Sequence, residues 1–279
     1  MPWAPELFSA SVLQSLLDKY RRERLRSVPF FDGLLSGEVD ALVESFAGVP
    51  EIHHPVRGRI RGEGAFRRFV ADMNAWLAAR NADVEAVNML LTDPRGVEEV
   101  VVHLDGDRGR IGLPVALAAD HGDGEDERIV ELRMYFSSWP STGRHAHRPP
   151  LLQPDPDLRA PDVVGEYQRA LAAGDVEAIL ATFEPDGSIR EPAGDAYVHR
   201  GADELRALYA RFFSNGGGIP LEHCTVIDDG RVCALEYNVV EWGRTALPAE
   251  AGLAVYVRGD GGRLTAARVY DDCDPPLRG

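Results

Sequence analysis

The strongest constraint on this chain is that it repeats itself. Phe30 to Phe46 (FFDGLLSGEVDALVESF) lies on Tyr167 to Phe183 (YQRALAAGDVEAILATF), so that Leu34 falls on Leu171, Gly37 on Gly174, Val39 on Val176, Ala41 on Ala178 and Phe46 on Phe183. The register continues to Pro55 on Pro192 and then slips by two, bringing Arg61-Gly62 onto Arg200-Gly201. Farther on, IGLPV from Ile111 resembles AGLAV from Ala251, and RIVELRMY from Arg128 resembles RLTAARVY from Arg263. Matches in one order with small gaps are the mark of an internal duplication. A length of 279 residues suits two domains of ordinary size.

Each copy predicts the same elements. A helix closes at Gly37 or Gly174, where a left-handed cap suits glycine. A second helix starts at once; Asp175 caps it in the second copy, and Val176, Ile179, Leu180 and Phe183 follow at helical spacing. An extended stretch crosses a proline, a third helix runs over 65–79 or 202–213, and strands close the unit, in the second copy over 231–242, 252–258 and 264–271. Helices first and strands afterwards predict an α+β layer fold. The expectation is two cone-shaped domains, each with N-terminal helices on a curved antiparallel or mixed sheet, arranged as a pseudo-dimer. Expected boundaries are an N-terminal helix within 1–27, a first domain over 28–142, a proline-rich linker over 143–160 and a second domain over 161–279. The N-terminal helix is amphipathic over 9–26, with Val12, Leu13, Leu16, Leu17 and Tyr20 along one side.

Composition narrows function by exclusion. Thirty basic against 45 acidic residues give a formal charge of −15, which opposes phosphate backbones and anionic lipid. Neither nucleic acid nor a membrane is an expected partner. No apolar run approaches the ~20 residues of a bilayer-spanning helix, and the first ten residues lack the basic-then-apolar pattern of a secretory signal. The expected location is the cytoplasm. Three cysteines, Cys224, Cys233 and Cys273, make an odd set that argues against a disulfide framework, although Cys224 and Cys233 flank a turn at Asp228-Asp229-Gly230. There is no CxxC, HExxH, P-loop or GxSxG. No cofactor is expected. His53, His54, His103 and Asp105 could be grouped as metal ligands, but their spacing does not support it, and no metal is expected.

Three stretches of the second copy carry a resemblance: Tyr167-x6-Gly174-Asp175, Ile189-Arg-Glu-Pro-Ala-Gly194, and His199-Arg-Gly201 leading into a helix. They resemble the nuclear transport factor 2 superfamily, nearest its SnoaL-like cyclases and ketosteroid isomerase. The resemblance covers 163–275 and, less closely, 28–140, which implies a tandem pair. That superfamily holds isomerases, cyclases, epoxide hydrolases, dehydratases and binding modules, so fold alone selects none of them. By resemblance, Tyr167 takes the place of a tyrosine that donates to a developing oxyanion in ketosteroid isomerase. Glu191, before Pro192, takes the place of the general base, one methylene longer than the family's aspartate. The family's second oxyanion acid falls near Ala254, where no acid stands, and Asp271 occupies a pocket-facing position on the last strand.

The two copies also test each other. Tyr167 answers to Phe30, Glu191 to His54 and Asp271 to Phe136, so the second pocket is expected to be chemically equipped and the first apolar or closed. The run Asp271-Asp272-Cys273-Asp274 also reads as a solvated acidic edge. On the strand over 231–242, Glu236 and Asn238 share one face and Cys233, Leu235, Tyr237 and Val239 the other. If the apolar face packs on the other domain, Glu236 and Asn238 line the second pocket, with Trp242 and Phe212 as further substrate contacts. The expected function is cofactor-independent acid/base proton transfer, an isomerisation or cyclisation of a small, mostly apolar carbonyl compound of secondary metabolism. Glu191 would be the base, Tyr167 the oxyanion donor and Asp271 the group returning the proton. The alternatives are an epoxide hydrolase or epoxide-opening cyclase using Glu191 with Asp271 or Glu236, and a non-catalytic protein that binds a small hydrophobic ligand. A fused pair is expected to be a monomer or a weak homodimer.

Overall fold

The computed structural model describes residues 30–106, 109–122 and 128–276, apart from the side chain of Asp195; the helix expected over 9–26 lies outside the described residues. In the first half, α1 (Phe30–Ser36) and α2 (Val39–Glu44) precede β1 (Glu51–His54), β2 (Gly58–Arg61) and α3 (Glu63–Ala78). Four long strands follow, β3 (Asp83–Leu91), β4 (Arg95–Gly106), β5 (Gly109–His121) and β6 (Ile129–Tyr135), and a single turn, α4 (Trp139–Thr142), ends the half. The second half repeats this with α5 (Asp162–Ala173), α6 (Val176–Thr182), β7 (Phe183–Arg190), β8 (Val198–Arg200) and α7 (Gly201–Phe212). Its long strands are β9 (Leu221–Asp228), β10 (Val232–Trp242), β11 (Thr245–Arg258) and β12 (Leu264–Tyr270).

Strand order proves the duplication: β2-β1-β6-β5-β4-β3 in one sheet and β8-β7-β12-β11-β10-β9 in the other. Each sheet is mixed, because β1 runs parallel to β6 and β7 parallel to β12. The glycine caps are where the sequence puts them, Gly37 at φ 72° and Gly174 at φ 70°. A Cβ on Gly174 would also come 2.9 Å from the Gly217 carbonyl oxygen, so both backbone and space demand glycine there. Asp175 caps α6 by accepting the Ala178 N–H at 3.0 Å.

The ladders correct the sequence register in one place. Ala116 pairs with Glu99 and Tyr135, and Leu253 with Glu236 and Tyr270. These two residues are therefore counterparts, and IGLPV lies three residues out of register with AGLAV: Val115 answers to Gly252 and Leu113 to Glu250. Short apolar patterns recur along strands, and only the pairing fixes the register.

Helices cover the concave face of each sheet, and the two convex faces pack on each other. Leu90, Val97, Ala116 and Ala118 meet Ile227, Ala234, Leu253 and Val255 between the sheets. Both faces of β10 are thus buried over most of its length, which is why it reads apolar nearly throughout. Two mirrored polar clusters sit in this interface. Glu236 accepts from Arg133 Nε at 2.6 Å, Arg133 Nη2 at 3.0 Å, Tyr135 Oη at 2.7 Å and Thr225 Oγ1 at 2.8 Å. Glu99 accepts from Arg268 Nε at 2.7 Å, Arg268 Nη2 at 2.5 Å, Tyr270 Oη at 2.7 Å and Asn88 Nδ2 at 3.0 Å. Each half lends an arginine and a tyrosine to the other half's glutamate, the exchange expected across a pseudo-twofold axis. Cys233 faces Asp228 rather than Cys224 across its hairpin, and all three cysteines are free. No helix among the described residues is long and apolar enough to cross a membrane.

Candidate functional site

A cavity of about 330 Å³ opens in the first half, between α3, the concave face of the sheet and α4. Its apolar lining follows from periodicity. Phe69, Met73 and Trp76 stand at helical spacing on α3, while Val102, Leu113, Val115 and Met134 are concave-face positions of β4, β5 and β6. Phe136 and His54 close one side, and Ser138, Ser141 and Thr142 form the outer wall. No carboxylate lines it; Arg57 is the charged group at its edge, paired with Asp72 at 3.1 Å.

His54 is the polar group best placed in this cavity. Its Nδ1 accepts the backbone N–H groups of Val56 at 3.1 Å and Arg57 at 3.2 Å. Its ring meets Phe69 and Phe136 edge-on, with centroids at 5.5 and 5.4 Å. Burial, helped by the positive charges of Arg57 and Arg148, lowers its pKa to about 3. The imidazole is therefore neutral, with its proton on Nε2. It can donate a hydrogen bond to a ligand, but its basic lone pair is already used.

The second half differs at the matching place. Gly252 stands where Val115 lines the first cavity, and the ring of Tyr237 lies against it; a Cβ there would come within 2.5 Å of the ring. Tyr237 Oη donates to Asp271 Oδ2 at 2.8 Å. Burial pushes the Asp271 carboxyl up to about 6, although that hydrogen bond pulls the other way. Behind it, Tyr167 packs on Tyr256 and Tyr209 with centroids at 5.3 and 6.4 Å. The Tyr167 hydroxyl shares a 2.8 Å hydrogen bond with Tyr209, and burial pushes its pKa up to about 12. Counterparts of Tyr237 and Tyr256 in the first half are the smaller Val100 and Ala119.

Tyr209 also packs on Phe212, with centroids at 6.1 Å, and Arg211 lies over the Phe212 ring at 5.4 Å. Glu191 accepts from His199 Nε2 at 2.7 Å and from Arg211 Nη2 at 3.0 and 3.1 Å. No hydrogen bond among the described residues joins it to Tyr167 or Asp271. Phe212 and Trp242 do come together, with centroids 5.1 Å apart and Trp242 Nε1 donating to the Phe212 carbonyl at 2.7 Å. Glu236 and Asn238 are corrected outright. They face away from the second core, Glu236 in the cluster with Arg133 of the first half and Asn238 donating to the Leu152 carbonyl of the connecting segment at 3.2 Å. Cys233, Leu235, Tyr237 and Val239 face the second core instead. The reason is that Arg133 and Tyr135 supply partners on the interdomain side that β10 alone does not reveal.

The first-half histidines do not gather with Asp105. His53 Nε2 lies 3.2 Å from Glu51 and 3.7 Å from Glu131. These three could converge on an ion, but Arg59 and Arg61 already hold Glu51, and Arg133 holds Glu131. His103 pairs with Glu85, and Asp105 with Arg110 and Asn81. Sequence reasoning passed over Tyr237, Asp272 and Glu98. Burial, with Asp32 adding repulsion, pushes the Glu98 carboxyl up to about 8. A glutamate inside two counterpart apolar strands, Glu99 and Glu236, was the available signal for the interface.

Residues 164–267 match the model of the SnoaL-like domain family. No curated protein matches the chain. Similar solved structures include a Sinorhizobium meliloti protein assigned as a polyketide cyclase, at 20% identity over 39% of this chain and 94% of that one, with a TM-score of 0.34. Another is an NTF2-like protein from Cytophaga hutchinsonii, at 18% identity over 40% and 88%, TM-score 0.33. A third is SalBIII, an epoxide hydrolase/cyclase-like enzyme in pyran ring formation in the polyether salinomycin, at 18% identity over 42% and 91%, TM-score 0.33. The similarity to the SnoaL-like domain family thus lies in the second half, over residues 164–267.

Proposed function

We propose that this protein binds a small, mostly apolar molecule carrying a hydrogen-bond acceptor, such as a carbonyl oxygen, in the first-half cavity. One observation carries this: an open space lined mainly by apolar side chains in which His54 is a neutral donor, while the ring of Tyr237 lies against Gly252 at the matching place in the second half. The apolar body would gain from leaving water at about 25 cal/mol per Å², and the acceptor would be oriented by the His54 Nε2–H.

Proton transfer on such a compound, or epoxide opening, is the second reading. It is favoured by Asp271, whose carboxyl near 6 can both give and take a proton at neutral pH. It requires Tyr237 to swing off Gly252 to admit a substrate. Titration with naphthaldehyde, an apolar carbonyl compound, separates the two. Leu113→Trp fills the first cavity and is expected to weaken binding by at least about tenfold, or 1.4 kcal/mol, while Glu191→Gln leaves it unchanged. Loss on Glu191→Gln with no loss on Leu113→Trp would move the site to the second half.

A further inference from the structure

The outer wall of the first-half cavity is held from the second half. Ser141 and Thr142 belong to α4, a four-residue turn that buries none of its own side chains, and Ser138 precedes it at the N-cap position. A single turn has no intrinsic stability in water, and this one has no apolar anchor. One carboxylate ties down both of its flanks. Asp272, just past the end of β12, is 5% exposed. Its Oδ1 accepts from Ser137 Oγ at 2.5 Å and His145 Nδ1 at 3.0 Å. Its Oδ2 accepts from Ser138 N at 3.0 Å, Ser138 Oγ at 2.6 Å and Ala146 N at 2.8 Å. The segment is thus gripped on both sides of the turn, and Trp139 stacks on His145 with centroids 4.8 Å apart. Burial alone would raise the Asp272 pKa, but the hydrogen bonds from His145, Ser137 and Ser138 hold it below the usual carboxylate value.

We propose that Asp272 is the positioning residue of the first-half ligand site, so that binding in one half depends on a side chain of the other. The inference rests on the binding reading above and adds what shapes the site. In the register that sets Tyr135 on Tyr270, the counterpart of Asp272 is Ser137, its own hydrogen-bond partner. Two equivalent positions meet at the pseudo-axis with different residues. Two identical chains would place the same side chain on both sides. Fusion allows an acceptor on one side and donors on the other, and so a wall built for the first-half cavity.

The test measures the affinity of anilinonaphthalene sulfonate, an apolar dye that fluoresces when shielded from water. Wild type should bind it, and Leu113→Trp should abolish the signal; dye binding untouched by Leu113→Trp would overturn the cavity reading and this proposal together. With that control in place, Asp272→Ala should weaken binding by at least about tenfold, and added formate, which fits the vacated carboxylate position, should restore it. Amide exchange should quicken at Ser138 and Ala146 while the sheets stay protected. Asp272→Asn, which keeps size and one acceptor oxygen, should lose less than Asp272→Ala. Wild-type affinity in Asp272→Ala would overturn the proposal and leave the cavity reading standing. If Asp272→Ala fails to fold, wild-type affinity in Asp272→Asn overturns the proposal in the same way.

Discussion

The two halves share strand order, caps and interface, yet the first opens a cavity over its sheet and the second packs tyrosines at the matching positions. The difference lies in a few side chains on one scaffold. Val115, Val100 and Phe136 in the first half stand where the second has Gly252, Tyr237 and Asp271. A small residue on β11 makes room for a large one from β10, and the space a ligand would take is occupied from within. The contrast teaches that the sheet and its interface define the domain, whereas the ligand space depends on which neighbour is large.

The contrast can be broken from either side. Tyr237→Ala should destabilise the protein by about 3–5 kcal/mol, the usual range for removing a buried aromatic. It should also give the dye a second binding site; urea unfolding and dye stoichiometry read both effects. Glu236→Ala should cost a similar ~3–5 kcal/mol, because it removes the shared acceptor of Arg133, Tyr135 and Thr225 from a buried cluster, leaving Arg133 with Asp120 and Glu131 alone. Glu99→Ala should cost less, since Arg268 at 15% exposure can recover some water. Equal losses in urea unfolding would show the mirrored clusters to be equivalent despite that difference.

Acid should act on the halves with opposite sign. His54 has a folded pKa of about 3 against an ordinary 6.5. Between those values the unfolded chain holds more protons, so its contribution is present above 6.5 and is lost as pH falls. Asp271 has a folded value of about 6 against 3.8. There the folded chain holds more protons, and stability is lost as pH rises from 3.8 through 6, by roughly 3 kcal/mol at most. Thermal unfolding from pH 4 to pH 6 should therefore show His54→Asn and Asp271→Asn departing from wild type with opposite slopes. Parallel slopes would contradict the placement of one of the two groups. The smallest effect is expected for Tyr167→Phe, about 1 kcal/mol for one hydrogen bond to Tyr209, seen as a small shift of the unfolding midpoint.

Much of the fold could be read from the sequence because duplication doubles every signal. Gly37 with Gly174, and RIVELRMY with RLTAARVY, each mark an element twice. The site was harder to read, for physical reasons that particular residues make plain. Alternation on β10 defines two faces, but both are buried, so which one looks inward depends on Arg133 far away in sequence. Tyr167 reads as a donor by resemblance, yet its hydroxyl is taken by Tyr209. Asp272 sits in an acidic run that composition places at a wet edge; only the folded chain shows five donors converging on it. His54 was set aside as the unequipped counterpart of Glu191. Its neutral donor comes from two backbone N–H groups that no sequence pattern announces.

The location of the ligand site is tested most directly by the methionine methyl groups. Met73 and Met134 line the first-half cavity, whereas Met89 lies outside it on β3 and is 39% exposed. With isotope-labelled methionine, titration of naphthaldehyde should shift the Met73 and Met134 resonances together and saturably while Met89 stays in place. Saturable binding that leaves Met73 and Met134 unmoved would contradict the assignment of the site to the first half.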